Sequence, residues 1–284
     1  MNVSNIPLFI ISYNRKSYIE KLVNWLKNRD VSNVIIVDNN STYQPLLEYY
    51  KMCPYKVIHL KDNFGHTAVW TCGQFDSLLQ KNYYIVTDCD ILPTERCPSD
   101  IVEYLLEIIN QYPDITKAGL SLKIDDIPDH YVFKDATLEW ESQYYATKLS
   151  NNLYKAQIDT TFALYRPNTV LSRTLQWYNA ARTAYPYEAR HLPWYEDSLN
   201  PTEESLFYKK SRLNGLSNWD SHDLSELQCK NVKLRKEYNS LLEKHEKLQQ
   251  EFNKIKSNNV DLTHALQKQK EVIKYFSSPS EKNI

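Results

Sequence analysis

Two carboxylates one residue apart, Asp88 and Asp90, follow the run Tyr83-Tyr84-Ile85-Val86-Thr87 and precede Ile91-Leu92-Pro93. Tyr, Ile, Val and Thr favour strands, and Pro93 closes the run. Alternate side chains of an extended segment share a face, so Asp88 and Asp90 point to the same side. Paired hard oxygen ligands at the carboxyl end of a strand suit Mg2+ or Mn2+, which are commonly held by one or two carboxylates plus substrate phosphates. Open α/β sheets bind their ligands outside the carboxyl ends of the strands. The pair therefore reads as a metal–diphosphate site. An Asp-x-Asp pair alone also fits a solvated turn, and the preceding elements decide between the two.

Those elements alternate. Pro7-Leu8-Phe9-Ile10-Ile11-Ser12-Tyr13 is the continuous apolar run of a strand buried on both faces. After the polar turn Asn14-Arg15-Lys16-Ser17, residues Ile19, Leu22, Val23 and Leu26 recur at helical spacing. A second strand, Asn33 to Asp38, ends in the turn chemistry of Asp38-Asn39-Asn40-Ser41-Thr42. A helix carrying Leu46, Leu47, Tyr49 and Tyr50 leads to a third strand, Lys56 to Leu60. Asp62-Asn63-Phe64-Gly65-His66, a helix from Val69 to Leu79 and the strand into Asp88 complete this half. Such alternation predicts a parallel sheet with right-handed crossovers.

In a parallel sheet the polar strand ends lie along one edge, so Ser12, Asn14, Arg15, Asp38 and Asp88 can converge on one ligand. Asp38 is placed to accept a hydrogen bond from a base or a ribose hydroxyl. It is equally placed to cap a helix or close an Asx-turn.

Here the chain resembles a known family. Ile10-Ile11-Ser12-Tyr13-Asn14-Arg15 resembles the opening of the family 2 glycosyltransferases of the GT-A fold, and Val34-Ile35-Ile36-Val37-Asp38-Asn39-Asn40-Ser41 resembles their nucleotide-contacting segment. Asp62-Asn63-Phe64-Gly65 resembles the next segment, and Asp88-Cys89-Asp90 the metal motif. The four occur in the family's order across residues 5 to 95. The resemblance implies a nucleotide-sugar donor, a divalent metal and transfer to an acceptor hydroxyl. Ser12, Asn14, Arg15, Asp38, Asn63 and Asp88 would hold the nucleotide, and Asp88 and Asp90 the ion. The implied fold is α/β and Rossmann-like, with a mainly parallel sheet flanked by helices.

Composition narrows the alternatives. A chain of 284 residues that is 42% hydrophobic can bury one good-sized domain with something attached. Its net charge of −1 gives no basic face for nucleic acid. Five cysteines without a Cys-x-x-Cys pair suggest neither a disulfide framework nor a zinc site, and fit a reducing cytosol. Only four glycines are present, which argues against a glycine-rich phosphate loop and hence against a sugar nucleotidyltransferase. No charged segment followed by an apolar core opens the sequence, so no export leader is expected. A cytoplasmic protein, peripheral at the inner face of the membrane, is the expectation by analogy with the fold.

The middle third is less patterned. Ser99 to Gln111 reads as a helix, Ala118 to Ile124 as a strand, and Ile158 to Pro167 as another strand. Asp125, Asp126 and Asp129 read as a solvated loop rather than a second metal site. The family resemblance implies acceptor or donor contacts near Asp159 and Thr160. In His191-Leu192-Pro193-Trp194-Tyr195-Glu196-Asp197, the Trp194 and Tyr195 faces suit sugar C–H surfaces, or else the core. His191 and His222 are candidate third metal ligands. Thr202 is a good N-cap for a helix that runs toward Gly215. Glu203 and Glu204 in its first turn complement the helix dipole. By resemblance, Glu204, Glu203 or Asp197 is the general base.

The tail differs. From Leu224 to Phe276, Leu227, Leu234, Leu241, Leu248, Ile255, Leu262, Gln269 and Phe276 recur every seven residues. A second series three residues earlier includes Asn231 and Asn259. This pattern predicts a left-handed coiled coil, and Asn at its a positions favours a parallel dimer. The expected organisation is a catalytic domain over 1–220, a coiled-coil helix over 224–276 and a disordered tail over 277–284. The chain reads as a metal-dependent, inverting glycosyltransferase with a UDP-sugar favoured as donor and a glycan or glycolipid acceptor, acting in cell-surface polysaccharide or glycan synthesis. A non-catalytic coiled-coil assembly protein with a degenerate nucleotide-sugar-binding domain and a sugar nucleotidyltransferase are the alternatives.

Overall fold

The structure, a computed structural model, describes residues 2–169, 179–212 and 222–277. The chain divides into two units, Met1–Ser225 and Glu226–Ile284.

The first unit runs β1 (Leu8–Ser12), α1 (Lys16–Lys27), β2 (Val34–Asp38), α2 (Gln44–Tyr50), β3 (Lys56–His59), α3 (Ala68–Thr71), α4 (Asp76–Lys81), β4 (Tyr84–Asp88), β5 (Ile91–Pro93) and α5 (Ile101–Gln111). It continues with β6 (Lys117–Gly119), β7 (Ser121–Leu122), α6 (Lys134–Ser142), β8 (Lys148–Ser150), β9 (Leu153–Lys155), β10 (Ala163–Tyr165), β11 (Ala180–Thr183), β12 (Glu188–His191) and α7 (Glu203–Ser211). Among the described residues, nine strands form one sheet in the order β3-β2-β1-β4-β10-β6-β11-β9-β8. The pairs β3–β2, β2–β1 and β1–β4 are parallel, as the alternation of strands and helices predicts. Beyond β4 the sheet is mixed, because β10 runs antiparallel to both β4 and β6. A smaller sheet, β5-β12-β7, sits beside the end of β4 in sequence.

The strands of the parallel half are buried on both faces. In β1, Leu8 and Ile10 join a core that includes Leu22 and Leu26 of α1 and Leu105 of α5. Phe9 and Ile11 join the opposite core with Val69 and Leu79. This is the period of two written into a continuously apolar strand.

Two expected elements are divided and a third is shortened. The helix expected from Val69 to Leu79 breaks into α3 and α4 around Gly73, whose φ of +73° lies in the left-handed region. The strand expected over 118–124 splits into β6 and β7, which pair in different sheets. The strand expected over 158–167 shortens to β10, because Phe162 at φ +41° turns the chain before it. Gly119 permits the close approach of β6 to β10, where a Cβ would lie 2.7 Å from that of Ala163. The hairpin β8–β9 and helix α6 were not legible in the pattern.

The second unit contains most of α8 (His222–Ser277), a single helix of 56 residues. Along it Leu234, Leu241, Leu248, Ile255 and Leu262 are exposed. Residues 278–284 lie outside the described part. Among the described residues no helix is long and apolar enough to cross a membrane.

Candidate active site

Four neighbouring strands end in a row of polar side chains. His59 ends β3, Asp38 ends β2, Ser12 ends β1 and Asp88 ends β4. The register pairs His59 with Asp38, Asp38 with Ser12, and Ile11 with Asp88. With strands spaced by about 4.8 Å, the row spans roughly 14 Å.

At the Asp88 end, sequence-distant residues meet. The Asp88 N–H donates to the Thr160 carbonyl at 2.9 Å, and the Thr160 hydroxyl donates to Asp88 Oδ2. Phe162, held at φ +41°, makes the turn that brings Thr160 back to this strand end. Asp159 is exposed and close enough to act electrostatically on Asp88. Asp90 lies opposite β12, where the Leu192 N–H donates to the Asp90 carbonyl at 2.8 Å. This pairing sets His191 Nε2 3.5 Å from Asp90 Oδ2.

Arg15 is close enough to act electrostatically on Asp90. Its guanidinium is sandwiched between the Tyr208 ring, 4.0 Å from the centroid, and the Tyr18 ring, at 4.8 Å. Nη1 donates to Glu196 Oε1 and to Ser205 Oγ, each at 3.1 Å. Glu196 also accepts from Ser205 Oγ at 2.7 Å and from the Tyr18 hydroxyl. Glu196, Ser205, Tyr18 and Tyr208 thus hold Arg15. Glu196 is the member of the Glu196-Asp197 pair that reaches the site.

Several expected ligand contacts carry the loops instead. Asn14, at φ +49°, accepts from the N–H groups of Thr42 and Tyr43 at 2.8 and 2.9 Å, and donates to Ser211 Oγ. Its side chain thereby clamps the turn before α2. Asn63 Oδ1 accepts from the Gly65 N–H at 2.9 Å within its own loop. Ser12 Oγ accepts from the Tyr50 hydroxyl at 2.8 Å. Glu204 is buried, and accepts from the Ser17 N–H at 2.9 Å and from the Ser17 hydroxyl. Asp197 accepts from the Leu199 N–H at 2.9 Å in a local turn, whereas Glu203 is exposed. Trp194 is buried with its ring edge-on to His191, and the Tyr195 hydroxyl donates to Asp126. Asp126, expected as a solvated acid, is bridged by Arg190 at 2.8 Å. The side chain of His222 lies outside the described residues.

Residues 8–166, more than half of the chain, match the family described as Glycosyl transferase family 2. The chain belongs to this family. The match contains the whole strand-end row and Thr160, and it ends before His191, Glu196 and α7. No curated protein matches the chain. Among solved structures, a mycobacterial protein aligns at 10% identity and a TM-score of 0.38, over 63% of this chain and 65% of that one. Glucosyl-3-phosphoglycerate synthase from Mycobacterium tuberculosis, in complex with Mn2+ and UDP-glucose, aligns at 13% identity and a TM-score of 0.35, over 57% of this chain and 56% of that one. UDP-glucose pyrophosphorylase complexed with UDP-glucose aligns at 10% identity and a TM-score of 0.37, over 73% of this chain and all of that one. The chain therefore spans about two-thirds of the first structure and about half of the second. All three likenesses are too distant to carry a functional argument.

The electrostatics of this family 2 member are uneven across the acidic pair. Burial, Asp90 and Asp159 push the Asp88 carboxyl well above the usual carboxylate range. Burial opposes ionisation of Asp90 too, but the His191 ring and Arg15 hold its carboxyl below that range. Among the described residues, no group of three or more His, Cys, Asp and Glu side chains is arranged to hold a metal ion. The donor set nonetheless fits a hard divalent ion. Asp88 and Asp90 offer carboxylate oxygens at one strand end, and such ions commonly complete their coordination with water and substrate phosphate. His191 Nδ1 is buried without a hydrogen-bond partner, so nothing on that side fixes the ring as a dedicated ligand.

Sequence reasoning missed His59, Tyr50, Ser205 and Tyr208. His59 lies one residue before the end of the strand expected over Lys56 to Leu60, so its place in the row is set by strand register. The others depend on where α2 and α7 pack.

Proposed function

We propose that the chain is a metal-dependent glycosyltransferase that moves a sugar from a nucleotide-sugar donor, preferentially a UDP-sugar, to a hydroxyl of a glycan or glycolipid. The observation that carries this reading is the row His59, Asp38, Ser12, Asp88 at the carboxyl ends of four adjacent strands, with Asp90 and Thr160 around its Asp88 end. The family match contains all six residues. The row leaves the base end of a nucleotide at β2–β3 and its diphosphate at β4.

Asp88 and Asp90 would hold Mn2+ or Mg2+, and the ion would supply charge neutralisation for the leaving diphosphate. Thr160 fixes the Asp88 carboxylate, while His191 and Arg15 keep Asp90 ionised. Asp159, exposed beside Asp88, is a substrate contact. Trp194 acts by supporting His191 with its ring. Tyr195 is tied to Asp126, a placement that favours a loop-bracing role over sugar stacking. In the inverting reaction an acid takes the acceptor proton. Glu203 is favoured for that role, because Glu204 is committed to Ser17 and Asp197 to its turn. The setting is cell-surface polysaccharide or glycan synthesis, in the cytoplasm at the inner face of the membrane.

The exposed seven-residue series on α8 supports a parallel coiled-coil dimer as a separate property of the chain. An apolar seam sustained over about 80 Å of helix buries itself best against a second copy.

Thermal-shift measurements with UDP, GDP, CDP and TDP, each with and without Mn2+, test the reading. Stabilisation by a uridine nucleotide only in the presence of the ion is the expected result. No shift with any nucleotide would favour an assembly protein with a degenerate binding domain.

A further inference from the structure

Asp38 is the acid that the family resemblance would place against the nucleotide, yet its side chain is only 3% exposed. Two side chains cover it. The Tyr50 hydroxyl donates to Ser12 Oγ at 2.8 Å and reaches Asp38 Oδ1 at 3.3 Å. The His59 ring places Nδ1 2.9 Å from Asp38 Oδ2 and packs edge-on against Tyr50, with ring centroids 5.6 Å apart. His59 itself is 57% exposed. At this end of the row, the imidazole is the group that meets solvent.

We infer that His59, held by Asp38, is the residue that reads the nucleobase of the donor. The inference rests on the nucleotide-binding reading of the strand ends and assigns its specificity. A carboxylate oxygen accepts, so the tautomer that fits this contact carries its proton on His59 Nδ1. In that tautomer Nε2 is an acceptor, on the edge of the exposed ring away from Asp38. An acceptor at this place selects a base that presents an N–H donor, as uracil does at N3. It disfavours cytosine, whose N3 is itself an acceptor. Asp38 acts through His59 and is a positioning residue. Tyr50 closes the other side of the carboxylate and keeps water from it.

The test measures binding of UDP, N3-methyl-UDP and CDP to the full chain in the presence of Mn2+. Wild type, His59→Ala and Asp38→Asn are compared by titration calorimetry. A neutral hydrogen bond corresponds to about a tenfold difference in affinity. Wild type is expected to bind UDP about tenfold more tightly than the other two nucleotides. In His59→Ala, that ratio should fall to within about twofold. In Asp38→Asn the amide can donate to Nδ1 and admit the opposite tautomer, so the ratio should fall there too. A ratio within one protein is unaffected by partial loss of folding, which lowers all three affinities together. A tenfold preference that survives His59→Ala would overturn the inference and leave the nucleotide site standing. Absence of binding by all three nucleotides in wild type would overturn both.

Discussion

Glu204, in the first turn of α7, accepts the backbone N–H of Ser17, in the first turn of α1, at 2.9 Å. The N-cap residue of α1, Arg15, makes no side-chain cap, so an acid 187 positions away supplies it. Acids stabilise helix N-termini through the unpaired N–H groups and the dipole. This contact also places α7 over the turn that carries Asn14 and Arg15. Glu204→Ala is expected to lower unfolding stability by about 1–2 kcal/mol, the usual cost of a lost cap. Urea denaturation gives the number. Loss of turnover with unchanged stability would instead return Glu204 to the role of base.

Glu196 gathers Arg15, Tyr18 and Ser205. Removing it leaves a buried guanidinium without its carboxylate. Glu196→Ala should cost about 2–3 kcal/mol, somewhat below a fully buried pair because Glu196 is 25% exposed. The comparison that decides is Glu196→Gln, which keeps the acceptor and should recover part of that loss.

Asp90 faces His191 and Arg15. Asp90→Ala is expected to fold and to lose the metal-dependent part of nucleotide stabilisation. A variant with wild-type thermal shifts in UDP and Mn2+ would end the assignment of the ion to this strand end.

Lys117 is buried in β6, where its ammonium donates to the Ile158 carbonyl and lies 5.2 Å from the Tyr165 ring. Burial pushes its pKa down to about 7. The unfolded chain, with a lysine pKa of about 10.4, binds the extra proton across the interval between these values. Stability from this group therefore rises with pH above about 7, and the cost of charging it is full below that. Lys117→Met should be stabilised relative to wild type most strongly near pH 6. The gap should narrow as pH rises toward about 9.5, as followed by denaturant midpoints.

The repeat on α8 is tested by sedimentation of the full chain and of a chain ending near residue 220. The full chain should be dimeric and the shortened one monomeric. Equal oligomeric states would remove the coiled coil.

The sequence alone determined the parallel half of the sheet, the placing of Ser12, Asp38 and Asp88 at strand ends, the Thr202 cap of α7 and the long C-terminal helix. Each follows from a local period or a turn residue, which neighbours in sequence suffice to encode. The tertiary structure decided which polar groups are free. Asn14, Asn63 and Glu204 carry ligand-like side chains, yet their hydrogen bonds are taken by Thr42, Gly65 and Ser17. His59 and Thr160 carry no motif, yet strand register and the Phe162 turn set them against Asp38 and Asp88. A hydrogen bond depends on two groups meeting at about 3 Å, and for residues far apart in the chain that meeting is fixed by packing.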